Sequence, residues 1–208
     1  MLRSLLSTAD ELFVRQKKEW TEILVDFETK NQYAVLDSKG DETGTISEVS
    51  SGIGGFLKRN LLGSHRSLDV RVHDRDGSAV LKLARDFFVL FSSLEVDAEG
   101  GARLGSVERR WGILYRKYDL LDGHGRCFAK IRGPRWRLWT FPVRHSNGHS
   151  EATISKKWGG ALREVFSDAD TFRIAFERGT WSPSERLVVF AAAISIDFDF
   201  FEDNQPDR

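Results

Sequence analysis

Three short segments place cations beside an indole ring: Arg109-Arg110-Trp111-Gly112, Arg135-Trp136-Arg137 and Lys156-Lys157-Trp158-Gly159. Indole rings favour the boundary between hydrocarbon and water, and each Lys or Arg near an anionic surface adds about 1 kcal/mol of attraction. Gathered on one rim, the nine charged and aromatic residues would bind acidic phospholipid. The plainer alternative is that the tryptophans cap a core and the cations form a solvated surface. The stretch Gly52-Ile53-Gly54-Gly55-Phe56-Leu57-Lys58-Arg59-Asn60 offers a flexible apolar tip followed by basic residues. It too could insert shallowly, or be no more than a loose loop.

Net charge is zero, with 31 Lys and Arg against 31 Asp and Glu, but the signs are separated along the chain. Between Arg103 and Lys157 thirteen cations face four carboxylates, a net of +9, while the stretch from Glu164 onward is acidic. A basic face on a neutral chain attracts phosphates, unless the two regions neutralise each other across the fold.

Catalytic signals are weak. His65, His73, His124, His145 and His149 fall in turns or on wet strand faces without metal-ligand spacing. There is no Gly-x-Ser-x-Gly elbow and no nucleophile beside an evident base. Asp197 and Asp199 alternate with Phe198 and Phe200, which reads as a polar strand face rather than an acid–base pair. No enzymatic activity is expected.

These residues must be positioned by hairpins. Five turns of one design recur: Asp37-Ser-Lys-Gly40, Asp74-Arg-Asp-Gly77, Asp97-Ala-Glu-Gly100, Asp122-Gly-His-Gly125 and His145-Ser-Asn-Gly148. An Asp side chain can accept backbone hydrogen bonds, and Gly tolerates positive φ. The flanks alternate with period two, as in Leu68-Asp69-Val70-Arg71-Val72-His73, so each has one wet and one apolar face. About ten strands follow, and the aromatic segments Phe87–Phe91, Ile113–Tyr115, Trp136–Phe141 and Thr171–Phe176 can add connecting strands. Cys127 is the single cysteine. It is expected on the apolar side of its strand, and it excludes a disulfide framework and fits a reducing compartment.

Two helices are expected late in the chain. Residues 159–166 form a short one. Ser182-Pro183-Ser184-Glu185 is a capping box with proline at the first helical position, and Leu187 to Ile196 runs on from it without a charge. Those ten residues span about 15 Å of helix, half of what a bilayer core requires. A helix that short and apolar all round belongs inside protein. Many hairpins and one such helix predict a mainly β fold: a closed antiparallel barrel of about twelve strands around a buried C-terminal helix. Residues 1–28 read as an N-terminal arm or weak helix, with Leu2–Arg15 weakly amphipathic, then 29–203 as the barrel domain and 204–208 as a tail. The N-terminal apolar stretch is too short for a secretory signal, so a cytoplasmic protein, peripheral at the inner membrane face, is expected.

Two segments carry a family resemblance. Ile154-Ser155-Lys156-Lys157-Trp158 with Arg163-Glu164-Val165-Phe166-Ser167-Asp168-Ala169-Asp170-Thr171-Phe172, and the ending Ile196-Asp197-Phe198-Asp199-Phe200-Phe201-Glu202, resemble signatures of the phospholipid scramblases. The strand–Asp-x-x-Gly–strand unit of Leu68 to Arg85 is similar as well, so the likeness runs from about Asn31 to Glu202. The resemblance, which extends to the related tubby C-terminal and LURP-one-like proteins, implies a twelve-stranded barrel around a hydrophobic helix. It also implies action on phospholipid at a membrane. Calcium dependence in eukaryotic members is attributed to an acidic loop that maps here onto 168–179. Asp168 and Asp170 supply the first two oxygen positions of an EF-hand-type loop, but Phe172, Arg173 and Gly179 fail the other three. Tight Ca²⁺ binding is therefore not expected, and no cofactor is. The cysteine-rich and proline-rich segments of eukaryotic members are missing, which implies a stripped-down, bacterial-type member. A reading from another class keeps the basic-aromatic face but makes the chain a soluble module for phosphoinositide headgroups, other acidic ligands or nucleic acid. The sequence does not indicate an oligomeric state.

Overall fold

A computed structural model of the chain describes residues 2–17, 32–49, 67–86, 91–134, 136–137, 139–156 and 171–200. The alternating segments are strands whose apolar residues point inward. In β4, for example, Leu68, Val70 and Val72 are buried, while the residues between them are partly exposed. The twelve strands are β1 (Glu11–Gln16), β2 (Gln32–Leu36), β3 (Glu42–Glu48), β4 (Leu68–Asp74), β5 (Ala79–Arg85), β6 (Ser93–Ala98), β7 (Arg103–Arg110), β8 (Tyr115–Asp122), β9 (Cys127–Pro134), β10 (Thr140–His145), β11 (Glu151–Ser155) and β12 (Thr171–Arg178). Each is antiparallel to its sequence neighbours, and β1 pairs with β12 to close a simple up-and-down barrel. Closure leaves no strand edge open to a second chain.

The barrel begins earlier than the expected boundary at residue 29. Residues Leu2–Thr8 form a helix, α1, and Glu11–Gln16 form β1, which joins β2 to β12. Alternation in Glu11-Leu12-Phe13-Val14 is masked because the flanks of β1 are both covered: Leu12, Phe13 and Val14 are all buried. Leu2 and Leu6 of α1 are fully buried against the core, and the Leu2 amide donates to Asp74.

All five short turns lie at one end of the barrel because each links an even strand to the next odd one. In the fourth, Asp122 Oδ1 accepts from the His124 and Arg126 amides at 2.9 and 3.0 Å, and Gly125 closes the turn at φ 78°. The third turn is shifted by one residue. Gly101 rather than Gly100 takes positive φ and donates to the Ala98 carbonyl, while Asp97 is held by Arg103. Backbone donors, led by the Arg126 amide, hold the Asp122 carboxyl below the usual range, and Ser78 does the same for Asp76. Depressed folded-state pKa values contribute stability above the unfolded value of 3.8 that is lost as pH falls through the folded ones. Thermal melts should therefore shift downward below about pH 4, and Asp122→Asn should flatten that shift.

Cys127 faces outward, contrary to the expected apolar face. The register slips between Leu120 and Leu121, so that Leu120 pairs with Ala129 and Leu121 with Cys127. The bulged Phe128 and its neighbour Ala129 are then both buried, and the cysteine turns to solvent.

The C-terminal helix α2 spans Pro183–Phe200 and threads the barrel. Its capping box forms as expected: the Glu185 amide donates to Ser182 Oγ at 3.3 Å, and the Ser182 amide to Glu185 Oε2 at 2.8 Å. Leu187 through Asp199 are buried. The helix lies against β7, where a Cβ at Gly105 would come within 2.8 Å of Val188 and 2.1 Å of the Leu121 carbonyl. Eighteen residues make a helix about 27 Å long. The expected strand at 197–200 is instead its last turn. Among the described residues, no helix is long and apolar enough to cross a membrane. The short helix expected at 159–166 and the loop at 52–60 lie outside the described residues.

Candidate functional site

The end opposite the tight turns carries the longer connections, and it gathers the unburied apolar surface. The large hydrophobic side chains exposed among the described residues are Val49, Phe91, Trp111, Ile113, Leu114, Tyr115 and Trp136. All seven sit at this loop end, at strand ends or in the connections between β3 and β4, β5 and β6, β7 and β8, and β9 and β10. Trp111, Ile113, Leu114 and Trp136 are each about two-thirds exposed, at 69, 66, 64 and 67%. Tyr115 and Trp136 meet edge to face at 5.6 Å, joining the β7–β8 and β9–β10 connections into one ridge. Of the segments expected as connecting strands, only Thr171–Phe176 falls wholly within one, in β12. Ile113 and Leu114 instead belong to the ridge, and residues 87–90 lie outside the described residues.

The cation–indole segments separate on folding. Trp111, Trp136 and Arg137 reach the surface of the loop end. Arg110 is tied to Asp119 and Glu108 at 2.8 and 2.5 Å. Arg109 leans inward, 5.0 Å over the Phe200 ring and 4.0 Å from Asp199. Lys156 is buried at 6% exposure and donates to Asp197 at 3.3 Å. Arg135, Lys157, Trp158, Asp168 and Asp170 lie outside the described residues. Among the described residues no group of three metal-ligating side chains occurs.

Sequence reasoning missed why Arg109 and Lys156 are basic. The C-terminus of α2 carries the negative end of its dipole and two buried carboxylates, Asp197 and Asp199. Arg85 donates to Asp199 at 2.8 Å, as does the Tyr118 hydroxyl, and Tyr33 donates to Asp197 at 2.7 Å. Arg116 stacks 4.6 Å over Phe200. Burial pushes the Asp199 carboxyl up while Arg85, then Arg109, pull it back, and burial keeps Tyr118 protonated as a donor. The barrel's inner cations thus neutralise the helix end beneath the apolar ridge.

A second feature lies outside the barrel wall. A groove of about 900 Å³ runs over β8, β9 and β10, from Tyr115, Pro134 and Trp136 at the loop end to Cys127, His145 and Ser146 near the tight turns. Lys130, Arg132, Arg137 and Arg144 line it, and all four are exposed. The period-two alternation of β9 places Lys130 and Arg132 on one face, and that signal was legible. The pairing of β9 with β10, which adds Arg144 opposite Lys130, was not.

The scramblase family model matches residues 2–203. The chain belongs to the scramblase family. Phospholipid scramblase 1 of Mus musculus is 30% identical over 95% of this chain and 62% of that protein. Phospholipid scramblase 2 of Homo sapiens is 29% identical over 95% and 69%. Altered inheritance rate of mitochondria protein 25 of Saccharomyces cerevisiae is 24% identical over 91% and 70%. The chain thus spans roughly two-thirds of the length of the curated relatives it matches. The X-ray structure of a protein from Arabidopsis thaliana superposes with a TM-score of 0.52 at 14% identity, covering 93% of each chain, a likeness of fold. The expected scramblase membership and the barrel around a helix are both borne out.

Proposed function

We propose that this scramblase-family chain acts at phospholipid membranes, docking by its loop end and easing the movement of lipid between leaflets. The observation that carries this reading is the confinement of every exposed large hydrophobic side chain among the described residues to one end of the barrel. A soluble surface scatters such residues singly, whereas a contiguous apolar patch rimmed by polar groups marks a docking site. Indole and phenol rings suit the interfacial depth, and Arg137 beside Trp136 favours a surface rich in acidic lipid. The activity proposed is lipid transport, without a covalent step.

The physics favours shallow insertion over a span. Wedging Trp111, Ile113, Leu114 and Trp136 among headgroups would displace lipid in one leaflet and thin the bilayer beneath. Local thinning and water defects are what lower the cost of a polar group crossing hydrocarbon. Co-sedimentation with vesicles, with and without anionic lipid, tests the docking: the chain should pellet with anionic vesicles and release as salt rises. A dithionite assay on vesicles carrying a fluorescent lipid then tests transport. Flip rates that stay at the protein-free level while binding is saturated would remove the transport reading and leave the docking.

A further inference from the structure

We propose that the outer groove over β8, β9 and β10 is a binding site for an anion bearing more than one phosphate, of the inositol-polyphosphate class. This goes beyond docking by the rim, and it stands or falls independently of lipid transport. Among the described residues, eleven line the groove and none is acidic. Among the described residues, Lys130, Arg132, Arg137 and Arg144 form no ion pair with a carboxylate, although Arg144 helps to lower the Glu151 carboxyl from across the strand pair. Several cations elsewhere on the same wall are matched: Arg103 with Glu95 and Asp97, Arg110 with Asp119, Arg173 with Glu11, and Arg178 with Glu151. Those pairs also account for the acids closest to the groove. Asp119 stands across from Lys130 but is held by Arg110, and Glu151 stands across from Arg144 but is held by Arg178.

The groove keeps its charge at a cost. Lys130 and Arg144 are direct cross-strand partners, an arrangement that destabilises a sheet when both carry the same sign. A bound anion relieves that repulsion. Arginine forks suit phosphate oxygens in two-point contacts, and lysine adds a point charge. The volume, about 900 Å³, is in the range of sites for whole small ligands and exceeds what one phosphate fills. At the loop end, Tyr115 and Trp136 form an apolar wall, so the groove opens beside the surface proposed to meet lipid. At the far end Ser146 adds a hydroxyl, while both nitrogens of His145 are engaged by Glu185 and the Asn147 amide. Single-stranded nucleic acid would need a series of aromatic platforms along the groove. Among the described lining residues, the Tyr115 and Trp136 rings stand together at one mouth.

The same phosphates could come on a lipid or on a free molecule, and titration calorimetry at low salt separates the two. The soluble probe is inositol trisphosphate, with inositol as control. The vesicle probe is phosphatidylcholine carrying a phosphatidylinositol bisphosphate, set against phosphatidylserine vesicles of equal charge. Arg132→Gln and Arg144→Gln should each weaken binding of the soluble probe by about tenfold, the loss of one charge-assisted contact. The melting temperature of Arg144→Gln should stay level or rise, because a like-charge pair is removed. Trp111→Ala, outside the groove, should leave the soluble probe unaffected. Tight binding of the soluble probe without preference for the inositide vesicles supports the site and assigns it to a free phosphate. Preference in both arms assigns it to a lipid headgroup. The proposal is overturned if wild-type protein gives no heat with inositol trisphosphate, if both glutamine variants bind it unchanged, or if an oligonucleotide alone binds.

Discussion

Replacing Arg85 by alanine should destabilise the fold by about 3–5 kcal/mol, the cost of leaving a buried charge without its partner. The Arg85 and Asp199 side chains are 1% and 0% exposed and meet at 2.8 Å. Without the guanidinium, Asp199 would keep the Tyr118 hydroxyl and Arg109 at 4.0 Å. Denaturant unfolding reads the loss directly. Arg85→Met combined with Asp199→Leu and Tyr118→Phe should recover most of it, because a buried pair is often no better than well-packed apolar side chains and the Tyr118 hydroxyl is not left without its acceptor. The pH response of Arg85→Ala distinguishes electrostatics from lost packing. Burial already raises the Asp199 carboxyl above its ordinary 3.8, and removing the first of its opposing charges raises it further. A folded-state value above the unfolded one means stability is fully present below the unfolded pKa and is lost as pH rises through the folded value. The variant should therefore regain part of its deficit on mild acidification. A deficit that does not change with pH would show that the arginine's role there is one of shape.

The second large effect belongs to the membrane. Trp111→Ala with Trp136→Ala should weaken vesicle binding by roughly a hundredfold or more, at about 1.5–3 kcal/mol for each large apolar side chain withdrawn from water. Both rings are about two-thirds exposed, so the melting temperature should change little. Vesicle co-sedimentation against a series of lipid concentrations measures the first, and a thermal melt the second. Collapse of the fold would show the rings to be part of the core. Unchanged binding with an intact fold would remove the loop end as the docking surface.

The hairpins show how far sequence alone reached. Asp-x-x-Gly between alternating flanks specifies a turn and two one-faced strands, because the hydrogen bonds and positive φ involved are local. Four of the five turns close at the glycine expected, and the third moves by one residue where Asp97 is drawn to Arg103. The capping box of α2 is equally local and forms as read. Cys127 was misplaced because a bulge at Phe128 reverses facing without altering composition. Strand β1 reads as an arm in sequence because three consecutive buried residues hide its period.

The site divides in the same way. Trp111, Trp136 and Arg137 could be picked out as basic-aromatic residues because their neighbours in sequence are also their neighbours on the rim. Arg109 and Lys156 share that signature, yet they serve the buried end of α2. The difference is made by Asp197 and Asp199, which are distant in sequence and carried inside only when the helix runs on to Phe200. Four of the five turns, most strand faces, the start of α2 and the family were legible from residue order, because each depends on short-range pattern. It took the folded chain to sort the cations that serve buried carboxylates from those that line the groove. That outcome depends on strand pairing and helix depth, which bring together charges that no local spacing relates.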